Sequence, residues 1–304
     1  MRPARSRLAL RRAAFTLIEL LIVIAIIAVL MGVLLPTLGQ SRKASKALAC
    51  AAQLRSIGQG LVLYNNDHQE AVIPSYNMTG INGGAGVPLD GWGPILDRDG
   101  YMTGSDAGKG NPFYCPETVD VPGVASGQTG TDPNNPKGWL EWPFERQGNA
   151  NVTTLIPDLG FDRVIKVSYW INADNPIGGA VNVTPDLFYT GSVGYGPGTN
   201  GVSIRQTILG AFVRPSQLIA VADGLYAGRQ RDSRVGMTNS RIGYRHPGKA
   251  GAANAAFGDG HVASIGGNEF PRGLGGTNLL DEVRAENTNG KPTVYANPER
   301  TLGS

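Results

Sequence analysis

The sequence predicts an α+β fold: a long N-terminal, transmembrane-type α-helix packed on an antiparallel, loop-rich β head. Three observations carry this reading. A 21-residue run with one charge, 15–35, follows a basic leader. Apolar residues then recur at threes and fours as far as Tyr64. Beyond residue 74 the pattern becomes short β-rich stretches between turns, and most of the 43 glycines and 20 prolines of the 304-residue chain lie there. Strands without helical patterns between them favour an antiparallel sheet. Such Gly and Pro content argues against a helical bundle, while the 41% hydrophobic fraction suffices for a core.

The net charge of +3 is a property of the first fourteen residues, not of the whole. Arg2, Arg5, Arg7, Arg11 and Arg12 stand there without an acid, and the rest of the chain carries 22 basic against 24 acidic groups. No global nucleic-acid signature is left, and no nucleic-acid partner is expected. The arginines belong on the cytoplasmic side, which places the C-terminal bulk outside; Arg42, Lys43 and Lys46 oppose this more weakly.

As a helix, residues 15–35 span roughly 32 Å, enough for a hydrocarbon core of about 30 Å. The run is too long for an ordinary secretory signal. Its one acid, Glu19, is informative: a carboxylate in lipid needs a partner, so an intramembrane acid points to function. The plainer reading is a carboxylate near the membrane edge.

The stretch Ala13-Ala14-Phe15-Thr16-Leu17-Ile18-Glu19-Leu20-Leu21 resembles the type IV prepilin signal. The resemblance implies cleavage by prepilin peptidase between Ala14 and Phe15, followed by N-methylation of Phe15. It also implies pairing of Glu19 with the terminal amine of a neighbouring subunit during assembly, and a helix kink at Pro36. The family commonly has Gly before the cut, where this chain has Ala14.

Past Pro36, Ala44, Ala47, Leu48, Ala51, Leu54, Ile57, Leu61 and Tyr64 form an apolar stripe. Gly58 and Gly60 weaken the helix by up to about 1 kcal/mol each. Asn65-Asn66-Asp67 suggests its end and Pro74 bounds it. The stripe must pack on something, most simply a sheet from the residues that follow. Cys50 lies on this segment and Cys115 in Phe113-Tyr114-Cys115-Pro116. Outside the cytoplasm a disulfide between them would persist, worth roughly 4 kcal/mol on the chain-entropy model. Two buried free thiols are the alternative, and two cysteines alone do not make a metal site.

The chain thus divides into leader 1–14, membrane or filament-core helix 15–35, its extracytoplasmic continuation 36–74, head 75–280 and polar tail 281–304. Residues 75–150 read as loops interrupted by Trp92, Ile95 and Leu96, then Trp139, Trp142 and Phe144. Strands are expected at 164–171, 187–190, 218–222, 255–257 and 261–265. Asp259-Gly260 between two of them signals a type I′ hairpin.

The order Ser168-Tyr169-Trp170-Ile171-Asn172, Arg214–Gly224, Arg245-His246 and Phe257-Gly258-Asp259-Gly260-His261-Val262 resembles prepilin-like proteins with a C-terminal H-X9-DG domain, relatives of type II secretion pseudopilins. Here twelve residues, not nine, separate His246 from Asp259, and Pro247–Gly251 reads as a lengthened hairpin loop. A site of His246, Asp259, His261 and Asp223 for metal or hydrolysis is the functional alternative to a structural turn. Calcium occurs in related pseudopilins; Asp132, Asn134, Asn135, Asp158, Asp162 and Asp174 offer oxygens, but without EF-hand spacing.

No G-x-S-x-G, H-E-x-x-H or P-loop is present, and His68 reads as a surface residue. The expectation is a non-enzymatic pilin-like or pseudopilin subunit without a cofactor, in the bacterial inner membrane and then a filament. Its partners would be other pilin-like subunits, the prepilin peptidase and an inner-membrane assembly platform of type II secretion or a type IV pilus. The rivals are a tethered adhesive module using Trp139 and Trp142 and, third, a hydrolase using His246 and Asp259.

Overall fold

The computed structural model describes residues 16–78, 88–108, 110–118, 139–147, 150–174, 189–191, 193–194, 208–212, 215–224, 227–228, 243, 245–248 and 251–266. Contacts divide the chain into two compact units, residues 1–43 and 44–304.

Helix α1 runs Leu17–Asp67 and continues through Pro36. It begins in a capping box. Thr16 Oγ1 accepts a hydrogen bond from the Glu19 amide at 3.3 Å, while Glu19 Oε2 accepts from the Thr16 amide and hydroxyl, each at 2.8 Å. The helix ends at Asp67, within the Asn65-Asn66-Asp67 signal and before Pro74. In the first unit every described side chain is exposed, the apolar ones from Leu17 to Leu38 included. This is the helix long and apolar enough to cross a membrane. In the second unit the buried face is Cys50, Leu54, Ile57, Gly58, Gly60, Leu61, Tyr64 and Asn65. The expected stripe is therefore rotated: Cys50 starts it, while Ala44 and Leu48 are exposed.

The strands are short. They are β1 (Tyr76–Met78), β2 (Pro88–Gly91), β3 (Leu140–Trp142), β4 (Phe144–Gln147), β5 (Ala150–Thr153), β6 (Ile165–Val167), β7 (Tyr169–Asp174), β8 (Thr190–Gly191), β9 (Val193–Gly194), β10 (Ile219–Asp223), β11 (Ala227–Gly228), β12 (Ala252–Phe257) and β13 (Val262–Gly266); helix α2 (Trp92–Arg98) follows β2. Among the described residues one sheet has the order β11-β7-β10-β12-β13, with β8 also on β7. A second has the order β5-β4-β2-β1-β9, and β3 pairs β6. The pairings are antiparallel except β1 with β9, β11 with β7 and β7 with β8. The expected strands at 164–171, 218–222, 255–257 and 261–265 correspond to β6 with β7, β10, β12 and β13; Leu187 and Phe188 lie outside the described residues.

Small residues let α1 sit close to the sheet. Strand β12 is Ala-Ala-Asn-Ala-Ala-Phe and buried throughout. A Cβ on Gly58 would meet Gly260 O at 3.5 Å and Ala256 Cβ at 3.8 Å, and one on Gly60 would meet Met102 Sδ at 3.1 Å. The two glycines that lower helix propensity thus lie where α1 approaches its neighbours. Asn254 Nδ2 ties β12 to the helix by donating to Ala47 O at 3.1 Å. One core joins Leu54, Ile57 and Leu61 to Trp92, Phe113, Trp142, Tyr169, Ile171 and Val221.

The described parts of the 75–150 segment hold β1 to β5 and α2, where the composition reads as loops. Three of the four tryptophans, Trp92, Trp142 and Trp170, are fully buried. Trp139 is half-buried between Lys166, whose Nζ lies 4.7 Å from its ring, and Tyr114. The Trp139–Trp142 pair thus offers no joint exposed surface for an adhesive role.

The turn at Asp259-Gly260 differs from a type I′ hairpin. Gly260 N donates to Phe257 O and Phe257 N to His261 O, both at 2.9 Å. Of Gly258, Asp259 and Gly260 only Gly260 has positive φ, 87°. This is a three-residue loop, a turn closed by a left-handed glycine, in place of a two-residue loop with both residues left-handed.

Candidate functional site

Four chain segments meet behind the head-facing side of α1. Cys50 is brought there by the helix stripe, fully buried. Cys115 follows the Asn111–Tyr114 turn, in which Tyr114 N donates to Asn111 O, and its own amide donates to Ser168 Oγ at 2.7 Å. Asp223 ends β10, the central strand between β7 and β12. His246 faces Ala252 across a closed hairpin, each amide donating to the other's carbonyl at 2.9 Å. The ends of the Pro247–Gly251 segment are therefore closed as in a hairpin, and Lys249 and Ala250 lie outside the described residues.

The side chains converge. His246 Nε2 lies 2.9 Å from Asp223 Oδ2, with both side chains buried. The Cys50 thiol donates to Asp223 Oδ1 at 2.9 Å and lies 3.1 Å from the Tyr169 hydroxyl, which donates to Gln53 Oε1 at 2.7 Å. Cys115 Sγ is 3.8 Å from His246 Nε2. One ligand atom from each of Cys50, Cys115, Asp223 and His246 can be chosen so that all four lie within 4.8 Å of one another. Asn254 N donates to Asp223 Oδ2 at 2.7 Å. Arg245 closes the outer side, donating to Ser168 O at 2.7 Å, Gly224 O at 2.6 Å and Thr118 Oγ1 at 3.1 Å.

Electrostatics follow from this packing. Burial opposes ionisation of Asp223, but His246, Arg245 and the Cys50 thiol hold its carboxyl below the usual value. Burial also opposes the imidazolium, yet Asp223 and Cys115 raise His246 to about 10. Burial, then Cys115 and Asp223, push the Cys50 thiol well up. For Cys115 burial is outweighed by Cys50, His246 and Arg245, and its pKa falls to about 7. Among the described residues, the buried His246 Nδ1 has no hydrogen-bond partner.

Several sequence expectations can be placed. Cys50 and Cys115 do come together, as free buried thiols and not as a bridge. Of the suggested group of His246, Asp259, His261 and Asp223, only His246 and Asp223 join. Asp259 instead accepts from His261, with its Oδ1 2.6 Å from Nδ1 in an exposed turn. The dyad His246–Asp259 required for the hydrolase reading is not formed. His68 is exposed and stacks on Tyr64 with ring centroids 3.9 Å apart. Asp158 and Asp162 are exposed, and Asp132, Asn134 and Asn135 lie outside the described residues, as do Ala14 and Phe15. What sequence reasoning missed was the combination of the two cysteines with Asp223 and His246. The signal was present: Cys50 falls four and seven residues before Leu54 and Ile57, the next members of the buried stripe, and Asp223 and Arg245-His246 stand within the recognised blocks.

Comparison with known proteins yields one match. The prokaryotic N-terminal methylation motif matches residues 10–35, under a tenth of the chain. No curated protein and no solved structure matches. The chain therefore carries a prepilin-type N-terminal motif on a pilin-like layout, a long apolar helix followed by antiparallel sheets. The exposed apolar half of α1 is consistent with membrane anchoring.

Proposed function

We propose that this chain is a structural subunit of a type IV pilus or type II secretion pseudopilus. Prepilin peptidase removes residues 1–14, Phe15 becomes the N-methylated terminus, and residues 15–35 hold the subunit in the inner membrane with its head outside. An assembly platform then draws it into a filament, where Glu19 pairs with the Phe15 ammonium of a neighbour. The chain acts mechanically, and the chemistry belongs to the peptidase. The observation that carries this reading is the methylation motif at residues 10–35, which includes the one acid of the apolar run, Glu19. The order of His246, Asp259 and Gly260 supports kinship of the head with the H-X9-DG prepilin-like proteins.

Glu19 already has a local task as capping-box partner of Thr16. The capping role tolerates Gln, whereas pairing with an ammonium in lipid requires the charge. Glu19→Gln and Glu19→Val should both be cleaved by prepilin peptidase, and neither should enter sheared filaments or pseudopili. Normal incorporation of Glu19→Gln would show that Glu19 only caps the helix and would remove the assembly role.

A further inference from the structure

We infer that Cys50, Cys115, Asp223 and His246 form a closed structural zinc site that fastens α1 to the head. The inference rests on the geometry of the second unit and does not depend on the filament reading.

The donor set fits. Two sulfurs, an imidazole nitrogen and a carboxylate oxygen converge within 4.8 Å. Tetrahedral zinc holds neighbouring ligand atoms about 3.3–3.8 Å apart, given metal–ligand distances of about 2.0–2.3 Å. The contacts of 2.9 and 3.8 Å and the outer limit of 4.8 Å lie on either side of that range, so side-chain shifts of up to about an ångström admit the ion. Two sulfur ligands select a soft or borderline metal and disfavour calcium and magnesium. Four protein ligands with no accessible coordination position describe a structural rather than a catalytic centre.

Charge balance points the same way. A divalent ion with two thiolates, one carboxylate and a neutral imidazole carries −1, and Arg245 beside Asp223 and Cys115 supplies +1. On binding, the Cys50 and Cys115 thiols and the His246 imidazolium release their protons to solvent. Outer partners are in place: Asn254 N and Tyr169 OH orient Asp223 and Cys50, and Ser168 Oγ fixes the Cys115 amide. The site would bind α1 to three segments far from it in sequence.

The test uses the full chain, purified in detergent under reducing, chelator-free conditions. Elemental mass spectrometry should find one zinc per chain. Exchange for Co(II) should give the intense visible bands of a tetrahedral site together with thiolate-to-cobalt charge transfer. Cys50→Ser and Asp223→Asn should weaken Co(II) binding by more than the roughly 10–100-fold that loss of an outer-shell partner costs. The wild-type cobalt spectrum keeps the test decisive if a variant does not fold. A reduced chain that takes up neither metal would overturn the site. So would a weak octahedral spectrum without charge transfer, or a Cys50–Cys115 disulfide in protein taken from native membranes.

Discussion

Leu54 and Leu48 lie six residues apart on the same helix, and the structure gives them opposite fates. Leu54 is 0% exposed among Ile57, Leu61 and the head core, whereas Leu48 is 73% exposed. Truncating a fully buried leucine removes its transfer free energy and leaves a cavity, together about 2–5 kcal/mol. Against a total stability of about 5–15 kcal/mol, Leu54→Ala forfeits a large share of the head's folding free energy. Leu48→Ala should change it by about 0.5 kcal/mol or less. Urea unfolding of the detergent-solubilised chain, followed by the fluorescence of the buried Trp92, Trp142 and Trp170, reads both. The midpoint should fall sharply for Leu54→Ala and stay in place for Leu48→Ala. Equal effects, or a larger one at Leu48, would refute the orientation of α1 against the head and the placement of Cys50 inside it.

Two further predictions concern the core and its pH range. A Cβ on Gly91 would lie 2.9 Å from the buried Trp142 ring, so Gly91→Ala should cost about 1–3 kcal/mol as overpacking and lower the thermal midpoint. Gly39→Ala, with nothing within 4 Å, should leave the head's midpoint unchanged. Burial, with the Asp67 carboxylate, pushes Tyr101 up to about 12, and burial in the core pushes Tyr189 up to about 12 against a hydrogen bond from Asn65. A phenol whose folded pKa is raised contributes stability that is complete below the unfolded value near 10 and is lost as pH rises through about 12. The urea midpoint should therefore fall beyond pH 10 more steeply in the wild type than in Tyr189→Phe, in addition to the loss below pH 10 that the raised His246 contributes equally to both. An unchanged slope in that variant would contradict the burial of its hydroxyl.

The parts of the fold legible in the sequence are those with enough residues to show a period. Helix α1 announced itself by composition and by threes and fours, though the phase of its stripe was set by Cys50, which an apolar count passes over. Strands β7, β10, β12 and β13 run five or six residues with β-branched, aromatic or alanine content. Strands β1 to β5 have three or four residues each, too few for alternation to stand out among glycines and prolines. Helix α2 was hidden by Gly93 and Pro94, although proline is tolerated in a first helical turn. The candidate site was legible only as fragments. Its four residues come from α1, a turn, a strand end and a hairpin, and no short spacing links them; only the sheet order β7-β10-β12 and the helix laid on it bring them together.

The central claim is that the chain is processed as a prepilin-type subunit, and the N-terminus of the native protein tests it most directly. Mass spectrometry of protein from native membranes and sheared filaments should find a chain that begins at N-methylated Phe15, with residues 1–14 gone. A mature chain that keeps its leader, or one cut beyond residue 35 by a secretory signal peptidase, would contradict the account.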